Sequence, residues 1–238
     1  MEVIGVKNKN RLRQMLKICI VLLFFGLCFH YAYRVREAVT IQNEVQSGIL
    51  LDAGHGGEDG GAVSASGVKE SEINLSIVLR MEQLMVFIGE APTLLRREDR
   101  SLHEPHAVTL REKKVSDLKS RVAMANAVPD AVLISIHQNS YPEPKYKGTQ
   151  VFFAPTPGSE QLAQRVQQSV LQELQPYNKR AEKQIPKEVY LMNHINNRAI
   201  LIECGFLTNP EEELLLRTQE YQKKMALAIS CSILNSLQ

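Results

Sequence analysis

The sequence predicts an α/β domain, a sheet flanked by helices, preceded by an N-terminal membrane segment. Two patterns point to the domain. Short apolar runs of strand length alternate with longer stretches whose apolar residues recur at helical spacing. Three of those runs, ILLDAG, AVLISI and AILI, lead into His55, His137 and Glu203. In open α/β sheets the carboxyl ends of the strands are where ligands bind. A chain of 238 residues, 44% hydrophobic and 23% charged, suits one globular domain with a short appendage and excludes disordered or fibrous classes.

The appendage comes first. Residues 1–17 form a basic tail that carries Lys7, Lys9, Arg11, Arg13 and Lys17 against Glu2 alone. From Ile18 to Tyr33 the chain has no formal charge. A helix of that length reaches roughly 24 Å, a little short of the ~30 Å hydrocarbon core, and Lys17 and Arg34 can snorkel at its ends. The basic flank should stay in the cytoplasm, so the remainder is exported. An uncleaved anchor and a cleavable signal peptide both fit. The small-x-small cleavage pattern is poor, because Ala32 follows His30 and Ala38 follows Arg36 at that spacing. Residues 34–47 read as a linker and 48–238 as the domain.

Within the domain, Ile49–Leu51 is the first strand and a glycine-rich loop follows it. A helix then begins with Ser71 as N-cap, carries Ile73, Ile77, Leu84 and Ile88 on one stripe, and closes at Gly89. Thr93–Leu95 is a second strand. Val115, Leu118, Val122 and Ala125 mark a helix ahead of the buried strand 131–136. Gln150–Phe153 is another strand, and Leu162, Val166, Val170 and Leu174 line the next helix. After Ala199–Ile202, the run Asn209-Pro210-Glu211-Glu212 has the cap, proline and acids of a helix start. Tyr221, Met225, Ile229 and Ile233 stripe the terminal helix. Cys204 and Cys231 are too few for a disulfide framework; they could pair with each other, but each reads rather as a small buried hydrophobe. With the net positive charge carried by the tail, and 23 basic against 25 acidic residues in the rest of the chain, the domain lacks a basic footprint, and the chain has no tryptophan. Nucleic-acid binding is therefore not expected.

A histidine or carboxylate at the end of an apolar strand is costly to desolvate without a partner. The loop DAGHGGEDGGA has neither a GxGxxG pattern nor a P-loop lysine, so its glycines are read as allowing close backbone approach. His55, Glu70 and His137 supply two imidazoles and a carboxylate, the ligand set of a catalytic zinc site with one position left for water. Glu203 is then a carboxylate beside the metal, suited to carrying a proton from water to a leaving amine.

DAGHGG, KESEINL, SIHQNS and ILIECGFLTNP resemble, in order, the signature blocks of the zinc-dependent N-acetylmuramoyl-L-alanine amidases of the amidase_3 type. The resemblance implies a twisted mixed, largely parallel sheet flanked by helices. It implies Zn2+ held by His55, Glu70 and His137, with Glu203 catalytic. It also implies cleavage of the amide between the lactyl group of N-acetylmuramic acid and L-alanine in peptidoglycan. Arg96 and Asp99 match one further block, and Arg121 and Asn126 another. Gln138 stands where the family often has alanine, and Arg198 where proline is usual. The small exported layout is most similar to the sporulation or germination-specific amidases. That similarity implies action on spore cortex on the way to muramic δ-lactam, and an activating protein partner is compatible with it.

Arg96, Gln138 and Asn139 are candidate substrate contacts. Asp52 reads either as orienting a metal ligand or as capping the loop, His194 as a further substrate candidate, and His103 and His106 as solvated. The ligand set alone also suits a carboxypeptidase cutting within the stem peptide, against which the four ordered blocks stand. A non-catalytic envelope protein would be expected to have lost Glu203 or a ligand, and all four residues are present.

Overall fold

The computed structural model describes Lys17, residues 23–28, His30 and residues 48–237. The chain divides into Met1–Val45 and Gln46–Gln238. In the first unit residues 23–28 are helical and exposed. The expected anchor over 18–33 lies largely outside the described residues. Among those described, no helix is long and apolar enough to cross a membrane.

The second unit is built in the order β1 (Ile49–Ala53), α1 (Glu70–Phe87), β2 (Thr93–Leu94), α2 (Leu110–Asn126), β3 (Val132–Asn139), β4 (Gln150–Phe153), α3 (Ser159–Glu173), β5 (Lys183–Gln184), α4 (Tyr190–Asn193), β6 (Arg198–Phe206), α5 (Pro210–Leu216) and α6 (Gln219–Leu237). The sheet order is β2-β1-β3-β6-β4-β5. Strands β1, β2, β3 and β6 are parallel, while β4 runs antiparallel to β6 and pairs in parallel with β5. The sheet is thus mixed and mainly parallel, as expected. Alternation along the central strands feeds two cores. Ile134, Ile136, Ile200 and Ile202 pack with α1, α3 and α6, and Leu133, Ala199 and Leu201 pack on the face of α2 and α4. Burial on both faces explains why these strands read as unbroken apolar runs.

Several expected boundaries move. Lys69, not Ser71, is the N-cap of α1, and Glu70 is its first residue. Ser71 is buried in the first turn and its carbonyl accepts from Arg96. Gly89 closes the helix with φ 95° as expected, but Ile88 is the C-cap and is exposed, off the core stripe. Residues Met81 and Met85 complete that stripe instead. His137 and Glu203 lie inside β3 and β6, whose pairing continues to Asn139 and Phe206. Thr109 and Glu112 form a capping box at α2, and Asn209 caps α5 with proline in its first turn. Cys204 is buried, but Cys231 is exposed and both are free.

Candidate metal centre and its supports

The site forms where β1, β3 and β6 end and α1 begins. In the pairing of β3 with β6, His137 stands directly beside Glu203. His55 arrives from the loop after β1 with φ 59°, a left-handed conformation uncommon for a residue with a Cβ. Two buried arginines hold that loop. Arg121, 2% exposed, donates from Nη2 to the His55 carbonyl at 2.7 Å and from Nη1 to the Ala53 carbonyl at 2.9 Å. Arg96, 1% exposed, donates from Nε to the Ala53 carbonyl at 2.8 Å and from Nη2 to the carbonyls of Gly54 and Ser71 at 3.0 and 2.9 Å. Burial and the neighbouring Arg121 charge bring the Arg96 pKa down to about 10.

Glu70 sits between the two imidazoles. Its Oε1 lies 2.9 Å from His137 Nδ1 and 3.4 Å from His55 Nε2. The backbone N–H groups of Ala62 and Gln138 donate to its two oxygens at 2.8 and 3.1 Å. Burial opposes ionisation of Glu70, but the two histidines hold its carboxyl far below the usual range. Burial likewise disfavours a charged His55, but hydrogen bonds to Asp59 and Glu70 outweigh it and raise the pKa to about 9. Glycine is needed at two places. A Cβ on Gly54 would run into the His137 ring, and one on Gly61, which has φ 67°, would stand 2.5 Å from Glu70 Oε2.

One donor atom from each of His55, Glu70 and His137 falls within 4.8 Å of the others. Ligands about 2.1 Å from one tetrahedral ion stand about 3.4 Å apart, so small side-chain adjustments suffice to share a divalent cation. The donor set, nitrogen and oxygen without thiolate, suits zinc among other divalent ions. Glu203 donates nothing to this group. Its Oε2 is enclosed and has no hydrogen-bond partner, and burial, with the nearby Glu70 charge adding to it, pushes its carboxyl up to about 7 despite both histidines.

The remaining expectations sort by burial. Gln138 is buried, donating to Asn74 Oδ1 at 3.1 Å. With Arg96, it braces the site from behind and offers no surface to a substrate. Asn139 is half-buried at the end of β3 and stays a candidate. Asp52 is fully buried and pairs with Arg121 and Ser135, so it reaches the loop through Arg121 and touches none of the three converging residues. His194 stacks on Tyr190 before the start of β6, at the opposite end of that strand from Glu203, and its carbonyl is tied to Asn126. His106 is exposed. His103 is half-buried, bonds Ser101 Oγ at 2.9 Å and lines a cavity of about 220 Å³ with Asp59. The acids after Asn209 do more than start a helix, since Glu212 accepts from the N–H groups of Gly148 and Phe206.

Asp59 is the residue that the sequence reading missed. Its Oδ2 accepts from His55 Nδ1 at 2.9 Å, which turns Nε2 toward Glu70. Carboxylates in this position fix the tautomer and orientation of a ligating histidine. Asp59→Ala is therefore expected to weaken divalent-metal affinity by about 10- to 100-fold, measured by competition with a chromophoric chelator.

A sequence profile described as N-acetylmuramoyl-L-alanine amidase, Amidase_3, matches residues 49–235. The chain is 33% identical over 187 residues to the germination-specific N-acetylmuramoyl-L-alanine amidase of Bacillus subtilis strain 168, covering 78% of each chain. The CwlD amidase of Clostridioides difficile, solved in complex with the GerS lipoprotein, superposes with a TM-score of 0.76 at 35% identity, over 79% of this chain and 97% of that one. AmiC2 of Nostoc punctiforme gives a TM-score of 0.66 at 29% identity, over 80% and 96% of the two chains. Matched from the first strand into the terminal helix, and folded as these amidases fold, the chain belongs to the N-acetylmuramoyl-L-alanine amidase family.

Proposed function

We propose that the protein is a zinc-dependent peptidoglycan amidase, exported and held at the membrane by residues 18–33, that acts on spore cortex. The observation that carries the reading is the convergence of His55, Glu70 and His137 beside Glu203, a carboxylate with a raised pKa that no other side chain occupies. Zinc bound by the first three would acidify a water and polarise the lactyl carbonyl.

The chain's own residues do the rest. Glu203 accepts the proton of the attacking water at its carboxylate and delivers it to the L-alanine nitrogen as the C–N bond breaks. The products are a lactyl carboxylate and a stem peptide with a free α-amine. Asp59 holds the His55 ring, and Arg96 and Arg121 hold the carbonyls of the loop that carries it. Asn139, half-buried at the end of β3, is the remaining candidate for a substrate contact.

The spore assignment rests on likeness to the germination-specific amidase and to CwlD. The complex of CwlD with a lipoprotein supports an activating protein partner for this chain as well. The test is incubation of the zinc-loaded chain with spore-cortex and with vegetative peptidoglycan, reading released peptides by mass spectrometry. Preferential release from cortex is expected. Equal release from both would remove the spore assignment, and cleavage within the stem would make the protein a peptidase.

A further inference from the structure

Val86, Phe87 and Ile88 stand 56%, 88% and 57% exposed at the C-terminal end of α1. The helix does not need them for packing, because Ile73, Ile77, Val78, Met81 and Met85 already form its buried stripe. Three successive residues sweep about 200° of a helix surface at ~3.6 residues per turn, so no one face of the fold can cover them. Single exposed apolar residues are ordinary, but a run of three at the tip of an element calls for a partner. The tip is also free of charge from Gln83 to Gly89, and Glu82, just before it, is paired with Arg97.

The position of this tip matters. Helix α1 starts at the site with Glu70 and runs back along the parallel strands for 18 residues, about 26 Å. Its far end lies where β2 starts, with Thr93 in register with Leu50. The domain is entered at the same pole, since the Gly48 carbonyl accepts from the N–H of Val132, the first residue of β3. Residues 34–47, which lead from the apolar segment to that entry, can reach at most about 50 Å. The tip and the point where the chain enters the domain thus share one pole, and the site lies at the other.

We propose that Val86, Phe87 and Ile88 form a lipid-contacting tip that enters the membrane interface and directs the metal centre outward, toward the polymer. The proposal rests on residues 18–33 holding the chain at a membrane. A lipid interface is favoured over a second copy of the chain because the tip is convex and small. Three side chains at a helix end fall well short of the ~800 Å² per partner of a stable interface, whereas an interfacial apolar tip needs only to bury a few side chains among headgroups and acyl chains.

The absence of tryptophan from the chain makes the test direct. Full-length Phe87→Trp is reconstituted into phosphatidylcholine–phosphatidylglycerol vesicles with acyl chains brominated near the headgroup. Its emission is expected to shift to the blue and to lose most of its intensity relative to unbrominated vesicles. Tyr141→Trp, exposed beyond the site end of β3, should show neither change. Flotation of the same samples reads the anchor separately. A chain that floats with an unquenched Phe87→Trp overturns the tip and leaves the anchor standing, and a chain that fails to float overturns both. Equal quenching of both tryptophans overturns the stated orientation. A blue shift that bromine does not quench and that grows with protein concentration assigns the tip to a second copy and overturns the lipid assignment.

Discussion

Glu203→Gln is expected to bind zinc as the native chain does and to lose turnover by about 10²- to 10⁴-fold, the usual worth of a positioned general acid–base. Glu203 is not among the three converging donors, so metal affinity should not change. The substitution keeps shape and burial but removes the carboxylate proposed to carry the proton. It also removes a half-buried carboxylate whose enclosed Oε2 has no partner among the protein's own groups, and a charge there is a cost to the folded state. Thermal stability should therefore stay level or rise as activity vanishes. A purely structural Glu203 would behave in the opposite way, losing stability with activity. Metal content, melting temperature and peptide release measured on one preparation decide between the two.

Arg121→Met is expected to destabilise the domain by about 3–5 kcal/mol, the cost of breaking a buried ion pair from one side. Arg121 is 2% exposed and pairs with Asp52, which is 0% exposed, and with Asp117 at 2.7 Å. Methionine fills much of the volume but leaves Asp52 with Ser135 as its remaining partner. The same change frees the carbonyls of Ala53 and His55. His55 is held in a left-handed conformation, and loss of its support should weaken metal binding in the fraction that still folds. Denaturant melts read the first effect and chelator competition the second. An unaltered melt would mean that Asp52 is paired by some group other than Arg121.

The fold was legible where burial acts on whole segments. Apolar runs and helical stripes located β1, β3, β6, α3 and α6 because both faces of the sheet are covered. Two elements without such a signal went unread: β5, which is two residues long and exposed, and the four-residue α4. Ile88 was misplaced because periodicity does not mark where a helix stops, and the C-cap turned it into solvent. The three metal-binding candidates and Glu203 were visible because polar groups at the ends of apolar strands are conspicuous. Their supports were harder to read. Arg96 and Gln138 looked like substrate contacts, yet both are buried and directed inward. Burial of a polar side chain depends on loops folding over it, and composition does not report that. Asp59 lies four residues from His55, among acids and glycines suited to any solvated turn, and its carboxylate reaches Nδ1 through a turn with positive φ at His55, Gly56 and Gly57.

The proposed activity requires that His55, Glu70 and His137 hold a zinc ion. The most direct measurement incubates the purified full chain with peptidoglycan in three states: zinc-loaded, chelator-stripped and zinc-restored. Mass spectrometry then identifies every released peptide. Intact stem peptides beginning with a free L-alanine amine should appear with zinc, disappear after stripping and return on restoration. Release of the same peptides from the stripped chain would rule out a zinc requirement, and release of peptides cut within the stem would rule out an amidase.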